Sequence, residues 1–167
     1  MDTKDLVTDG VIAAAAGYGA AKVMGKATTF MYQQQTDQAK EQEAQVSYGV
    51  AYDVAAKKTA ALVGSELTDE QAGTAGMAIH YALALGWVPL YMLARRRYGM
   101  TQFGAGAAAG LSMSLLVDEI GNPLLGFTPP PQAYPLVSHL RGFAGHLVYG
   151  LSVAALVEAG WALTGRR

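Results

Sequence analysis

Hydrophobic and polar positions divide this chain of 167 residues into apolar runs that end in charges. The longest run extends from Ala72 to Ala94 and contains no Asp, Glu, Lys or Arg. Because a hydrocarbon core about 30 Å thick needs about 20 apolar helical residues, this run predicts a transmembrane helix. Thr68 and Gln71 match a capping box at its start, three arginines follow its end, and we expect Pro89 to kink the helix without ending it.

The second half of the chain contains two further apolar runs. Residues 103–118 are short for a span and rich in glycine, and the acidic pair Asp118 and Glu119 closes them. Residues 139–164 contain few charges, and Ser138 is expected to cap the N-terminus of their helix. Both runs predict transmembrane helices.

The first apolar run, residues 10–32, is the weakest candidate because Lys22 and Lys26 interrupt it. Their long side chains can extend toward the membrane interface. Small residues recur along this run and the 103–118 run, and such faces let membrane helices approach closely. We expect this packing within the chain, with an oligomer interface as the alternative. The packing positions are Gly17, Ala21, Gly106, Gly110 and Ser114.

Two segments between these runs do not match a membrane span. Residues 33–68 are largely polar, and within them residues 48–64 have the pattern of an amphipathic helix, which we place at the interface or on the bundle. Residues 121–138 contain five of the six prolines in a moderately apolar setting. Irregular backbone at membrane depth is tolerated only when protein buries it or it lines a cavity. We therefore predict that this loop folds back as a cap over the outer end.

The predicted fold class is all-α: an integral membrane bundle of about four transmembrane helices, with one amphipathic helix and a proline-rich outer loop. Basic clusters follow the second and fourth spans, and such clusters usually lie on the cytoplasmic side. Both termini are then cytoplasmic. The arginines that predict this orientation are Arg95, Arg96, Arg97, Arg166 and Arg167.

Composition excludes several partners and chemistries. The formal net charge of −1 provides no basic excess for nucleic acid. The chain has no cysteine, which excludes disulfides, thiolate metal ligands and cysteine nucleophiles. The opening residues MDTKD are acidic where a signal peptide has a basic region, so we expect the helices themselves to place the chain in the lipid bilayer.

The order of several short motifs resembles a known family. The motifs are "KATTFMYQQQ", "AIHYALALGWVPLY" and "LLVDEIGNPLLGFTPPPQAYPLVSHLRGFAGHLVYG". In this order they resemble the YagU-like family of small bacterial inner-membrane proteins. The resemblance implies a helical, multi-pass protein of the bacterial inner (cytoplasmic) membrane. It implies no catalytic activity and no cofactor.

Six ionisable residues are candidates for chemistry, because an isolated charge inside a membrane is costly and is usually paired or hydrated. His139 and His146 are seven residues apart and therefore share a helix face. Asp118 and Glu119 close a neighbouring span on the same outer side. The candidates are His80, His139, His146, Asp118, Glu119 and Glu158.

The spacing of these residues leaves their roles open. Two neutral imidazoles can hydrogen-bond across helices, a proton relay or transport path is an alternative, and a ligand for a metal, haem or chlorin is a third. Because H-x-x-x-H and E-x-x-H pairs are not present, we predict no metal and no cofactor. Asp118 and Glu119 either lie at a helix end among the headgroups or pair with Arg141 or a histidine to hold the proline loop.

Motifs of common enzyme classes are not found, since the chain has no P-loop, nucleophile-elbow or H-E-x-x-H pattern. We therefore predict a non-enzymatic membrane protein, an accessory or structural subunit that packs through small-residue helix faces against itself or other subunits. One alternative is a small transporter or proton-linked pathway that uses the histidines and acids. A second is a cofactor-binding membrane subunit with a histidine ligand.

Overall fold

The computed structural model describes residues 3–166, and every regular element within them is helical. The α-helices are α1 (Thr3–Gln33), α2 (Asp37–Val46), α3 (Ala51–Leu62), α4 (Asp69–Arg97), α5 (Gln102–Met113), α6 (Asn122–Leu124) and α7 (Leu136–Leu163). A π-helical segment, Ser114–Gly121, joins α5 to α6, and a short 3₁₀ turn, Pro131–Ala133, precedes α7.

Three helical segments of the described chain are long and apolar enough to cross a membrane. They are Asp69–Arg97, Gln102–Leu124 and Leu136–Leu163. Helix α1 is equally long but is not among them, because Asp9, Lys22 and Lys26 lower its hydropathy. The described chain is thus an all-helical bundle with three candidate spans, while a fourth span at 10–32 stays a prediction.

The four long helical segments run antiparallel to their neighbours in the bundle. Helix α1 packs on α4 and α7, and α5 packs on α7 and α4. The start of α1 meets the ends of α4 and α7, since Asp9 binds Arg96 and Asp5 binds Arg166. We call this side the arginine end. Arg167 lies outside the described residues.

Helices α2 and α3 and the proline-rich loop lie at the opposite side, which we call the loop end. Helix α3 packs along the first half of α4, and Lys57 of α3 forms an ion pair with Asp69 at the start of α4. Lys58 donates to the carbonyl oxygen of Gly126 at 2.7 Å and so ties α3 to the loop. The amphipathic segment predicted at 48–64 therefore contains α3, which covers one flank of the bundle.

Glycines bring α5 and α7 into backbone contact. A Cβ atom added at Gly110 would collide with the carbonyl oxygen of His146, and one added at Gly150 would collide with the carbonyl oxygen of Gly106. Gly17 lies similarly close to the backbone of α4, where an added Cβ would be 2.9 Å from the carbonyl oxygen of Ala84. Close helix approach of this kind is the usual role of small residues in membrane bundles.

The starts of α4 and α7 can be compared with the caps predicted from the sequence. Thr68 and Gln71 form the predicted capping box, with the Thr68 side chain accepting from the Gln71 amide and the Gln71 side chain accepting from the Thr68 amide. The prediction that Ser138 caps α7 is wrong. The helix begins at Leu136 after Pro135, and the Ser138 hydroxyl donates to the Glu43 carboxylate. Proline precedes a helix readily because its φ is already helical and it has no amide to satisfy.

The segment predicted at 103–118 continues as helix to Leu124, so the acidic pair does not end it. The extension is the π-helical segment, where the wider i to i+5 turn carries the chain past Asp118 and Glu119. The irregular part of the proline-rich loop is correspondingly shorter than 121–138.

Candidate functional site

A cavity whose mainly apolar wall carries several polar and ionisable side chains, which we call the polar cavity, lies at the loop end between α1, α3, α4, the π-helical segment and α7. Its deeper part, the inner chamber, has a volume of about 330 Å³ and is lined by His80, His146 and Tyr149. A more open part of about 450 Å³, the outer chamber, is lined by Glu119 and His139. Both chambers share the polar residues Tyr52, Asp118, Asn122 and Arg141.

His146 and Asp118 form an ion-pair contact in the inner chamber. The Nδ1 atom of His146 lies 3.3 Å from Oδ2 of Asp118 and 3.0 Å from the carbonyl oxygen of Gly142. Both oxygens are acceptors, so Nδ1 is placed to donate a hydrogen bond toward them. The His146 side chain is 8% exposed, whereas that of Asp118 is 38% exposed, so the carboxylate is the partner that water reaches.

His80 lines the same chamber from α4 but makes aromatic contacts rather than an ion pair. Its ring centroid lies 4.9 Å from that of Tyr52 and 5.3 Å from that of Tyr81. Burial raises the pKa of Tyr52, with smaller effects from the negative charges of Asp118 and Asp53, so its phenol stays neutral. The described residues thus bring His80, His146 and Asp118 to one cavity.

The π-helical segment explains how two adjacent acids both face α7. Successive side chains on an ordinary α-helix diverge, whereas the wide π turn brings neighbours closer to one face. Asp118 reaches His146, and Glu119 reaches His139, which lies two turns of α7 closer to the loop end. Short π-helical stretches are frequent at functional sites.

Glu119 and His139 form a clasp at the mouth of the cavity. Nδ1 of His139 lies 2.8 and 2.9 Å from the two Glu119 carboxylate oxygens, and Nε2 lies 2.9 Å from the carbonyl oxygen of Pro131. Both ring nitrogens face oxygen acceptors. The acid therefore pairs with a histidine, not with Arg141, and the same histidine holds the proline-rich loop.

Arg141 instead binds Glu43 of α2. Its guanidinium donates to the two carboxylate oxygens at 3.0 and 2.6 Å, and to Oε1 of Gln35 at 2.9 Å. Burial raises the pKa of Glu43, but hydrogen bonds from Arg141 and Ser138 outweigh it and hold the pKa below its ordinary value. A depressed carboxyl pKa stabilises the contact at neutral pH, and that contribution is lost as pH falls through the acid range.

An apolar layer separates the inner chamber from the arginine end. Val88, Val153 and Val157 are 0 to 1% exposed, and the hydroxyl of Tyr149 donates to the carbonyl oxygen of Ala84. The cavity is therefore open toward the loop end and closed beneath by this layer.

Glu158 lies beyond that layer and does not join the histidines. Its carboxylate accepts from Nε of Arg95 at 2.5 Å and from the hydroxyl of Tyr91 at 3.0 Å. Nearby, Asp9 accepts hydrogen bonds from Arg96 and from Nε1 of Trp161. The candidate polar residues thus form two groups, one at each side of the apolar layer.

The predicted packing residues are used inside the chain. Ala21 and Ser114 are buried, and Gly17, Gly106 and Gly110 contact α4 or α7. A partner subunit would consequently have to bind a different surface. Among the described residues, no group of three or more His, Asp and Glu side chains is placed to hold a metal ion.

No protein family, characterised protein or solved structure matches this chain. The class of protein is therefore defined by its own architecture, a helical bundle compatible with a membrane and containing a polar cavity at one end.

Several cavity residues were not identified from the sequence. Tyr52 belongs to the amphipathic segment. The pattern of that segment predicts a buried helix face, but it does not indicate that the face contacts His80. Glu43 is one of several charges in a polar helix, with no local sign that it pairs with α7. Asn122 was present in the D-E-x-x-N-P motif, and the structure places its amide 3.4 Å from Oδ1 of Asp118.

Proposed function

We propose that this chain is a non-enzymatic, four-span membrane protein that moves protons, alone or coupled to a small solute, through the polar cavity. The observation that carries the proposal is the ion-pair contact of His146 and Asp118 inside a cavity that opens at one end. Ionisable groups at membrane depth usually serve a pathway or are paired at a cost. In this chain His146 and Asp118 are paired, and the Asp118 carboxylate is also partly exposed.

The chemistry requires only proton exchange between named groups. Asp118 receives a proton from the water of the outer chamber, and His146 exchanges one through Nε2. Histidine suits this step because its ordinary pKa lies close to neutral pH. His80, on the facing wall of the inner chamber, is the next group able to exchange a proton.

The cavity is closed toward the arginine end, so transfer requires a second conformation. In that conformation the apolar layer opens and the Glu119–His139 clasp closes the mouth. Secondary transporters commonly alternate access around a fixed site in this way.

Asp118→Asn is expected to reduce proton flux to the level of protein-free vesicles, because the amide cannot accept a proton from the outer chamber. The measurement is the rate at which an enclosed pH-sensitive dye responds in proteoliposomes after a potassium–valinomycin potential is imposed. Asp37→Asn is the matched control, since that carboxylate is 95% exposed on α2 and far from the cavity.

Wild-type flux equal to that of empty vesicles contradicts the proposal, as does an Asp118→Asn rate equal to that of Asp37→Asn. Circular dichroism and size-exclusion profiles of both variants establish that they fold. His146→Gln tests the same pathway independently, and its proton flux is expected to equal that of Asp118→Asn.

The proposal includes a fourth span at 10–32, both termini on the cytoplasmic side and location in a bacterial inner membrane. Supporting observations are the antiparallel packing of α1 on α4 and α7 and the arginines at one end. The resemblance to the YagU-like family agrees with this location. The lipid bilayer is then the principal partner of the outer helix surface.

Single cysteines test this topology cleanly, because the chain has none of its own. With a membrane-impermeant maleimide on intact cells, Gln45→Cys is expected to be labelled, and Lys4→Cys only after permeabilisation. Labelling of both sites from the same side means that α1 does not cross. The reverse pattern means that α1 crosses in the opposite orientation.

A further inference from the structure

A groove between α1 and α4 carries an unusual set of side chains for a lipid-facing surface. Its volume is about 510 Å³, and it is lined by Lys22 and Lys26 of α1 and by His80 and Tyr81 of α4. Both lysines are exposed. Within the described chain, neither lysine forms an ion pair with an acidic side chain, whereas Lys40 and Lys57 each do.

The groove is polar along one helix stripe. Lys22, Lys26, Thr29 and Gln33 recur at spacings of three or four residues and all line it. From Lys22 to Thr29 the helix rises roughly 10 Å, at about 1.5 Å per residue. The stripe therefore extends from within the proposed span to the level where headgroups begin, on the side of the loop end.

Aromatic rings hold the deeper lysine in place. Tyr18 and Tyr81 stack with centroids 5.2 Å apart, and the Lys22 ammonium lies 5.4 and 5.7 Å from the two ring centres. Contact with ring faces stabilises a cation without neutralising it. Lys26, one turn closer to the loop end, adds a second positive charge on the same face.

We propose that this groove binds the phosphate of an anionic phospholipid from the leaflet at the loop end. Two uncompensated ammonium groups on an apolar surface are costly, and a lipid phosphate supplies the missing negative charge. Hydrogen-bond donors from Thr29 and Gln33 lie at headgroup height, and the apolar walls of α1 and α4 accommodate acyl chains. This inference rests on the proposed span of α1.

Native mass spectrometry of the detergent-purified protein tests the site directly. With equal additions of phosphatidylglycerol and phosphatidylcholine, the wild type is expected to retain the anionic lipid with about thirtyfold preference, the value for two lysines near a membrane surface. Lys22→Gln with Lys26→Gln is expected to remove that preference. Lys4→Gln with Arg97→Gln removes the same net charge at the arginine end and is expected to preserve it.

Equal retention of both lipids by the wild type, or an unchanged preference in the Lys22/Lys26 variant, overturns the proposal. Displacement of the lipid by millimolar inorganic phosphate shows a free-anion site and also overturns it. A shift from dimer to monomer mass in the variant assigns the groove to a second copy of the chain. Lipid retention is measured in detergent and does not depend on proton flux, so a failure of the lipid site is distinguishable from a failure of the proton pathway. Cysteine labelling tests the membrane span of α1 separately.

Discussion

Gly110→Ala is expected to lower the free energy of unfolding by about 3 kcal/mol relative to Gly86→Ala, because only the first substitution forces two helices apart. A Cβ atom at Gly110 would overlap the carbonyl oxygen of His146 and lie 2.9 Å from its carbonyl carbon. Both neighbours are backbone atoms and cannot rotate away. Overpacking of this kind typically costs about 1 to 3 kcal/mol.

Gly86 provides the matched control on another long helix of the same bundle. Nothing lies within 4 Å of a Cβ atom built there, so alanine gains the helix propensity that glycine lacks, about 1 kcal/mol, without a clash. The measurement is the SDS mole fraction that unfolds each variant in micelles, followed by circular dichroism. Equal midpoints for the two variants would show that α5 and α7 are not in backbone contact.

The same substitution is expected to impair the cavity as well as the fold. His146 supplies both the carbonyl that an alanine at position 110 would meet and the imidazole that faces Asp118. Separating α5 from α7 therefore lengthens the 3.3 Å contact that the proposed proton pathway requires. The small-residue face is in this way part of the site: it sets the distance between the acid on one helix and the histidine on the other.

Local signals predicted those parts of the molecule that depend on near neighbours in sequence. The capping box at Thr68 and Gln71 forms because its two partners are three residues apart. The helical course of residues 72–94 follows from an uninterrupted apolar run, even through Pro89. The seven-residue spacing of His139 and His146 places both on one face of α7, so the two histidine–acid contacts lie on the same side.

Contacts that depend on helix rotation were not predictable from the sequence. Alanine and glycine occupy nearly all faces of α1, α4 and α5, so the pattern does not indicate which face is buried. Tyr91, for example, resembles an interfacial aromatic residue next to the arginines, yet it is fully buried and bonded to Glu158. The π-helical segment Ser114–Gly121 was not predictable either, because none of its residues requires a π-helical turn.

Asp9→Asn is expected to lower the free energy of unfolding by about 2 to 4 kcal/mol, because it leaves Arg96 without its buried counter-charge. The Asp9 side chain is 9% exposed, accepts from Arg96 and Trp161, and lies 3.8 Å from Arg166. Asp5→Asn is the matched control on the same helix. That carboxylate is 47% exposed and pairs with Arg166 alone, so water can replace much of the lost contact and we expect a loss below about 1 kcal/mol.

A double-mutant cycle identifies the cause of the loss at Asp9. If the buried pair with Arg96 is responsible, Arg96→Gln added to Asp9→Asn costs much less than it does alone, because the partner charge is already gone. The guanidinium of Arg96 also lies 4.2 Å from the centre of the Trp161 ring, so tryptophan fluorescence reports on this contact while circular dichroism follows the whole bundle. Additive losses would mean that the start of α1 is not anchored to α4 at the arginine end, and α1 would then lack the attachment that its proposed membrane crossing requires.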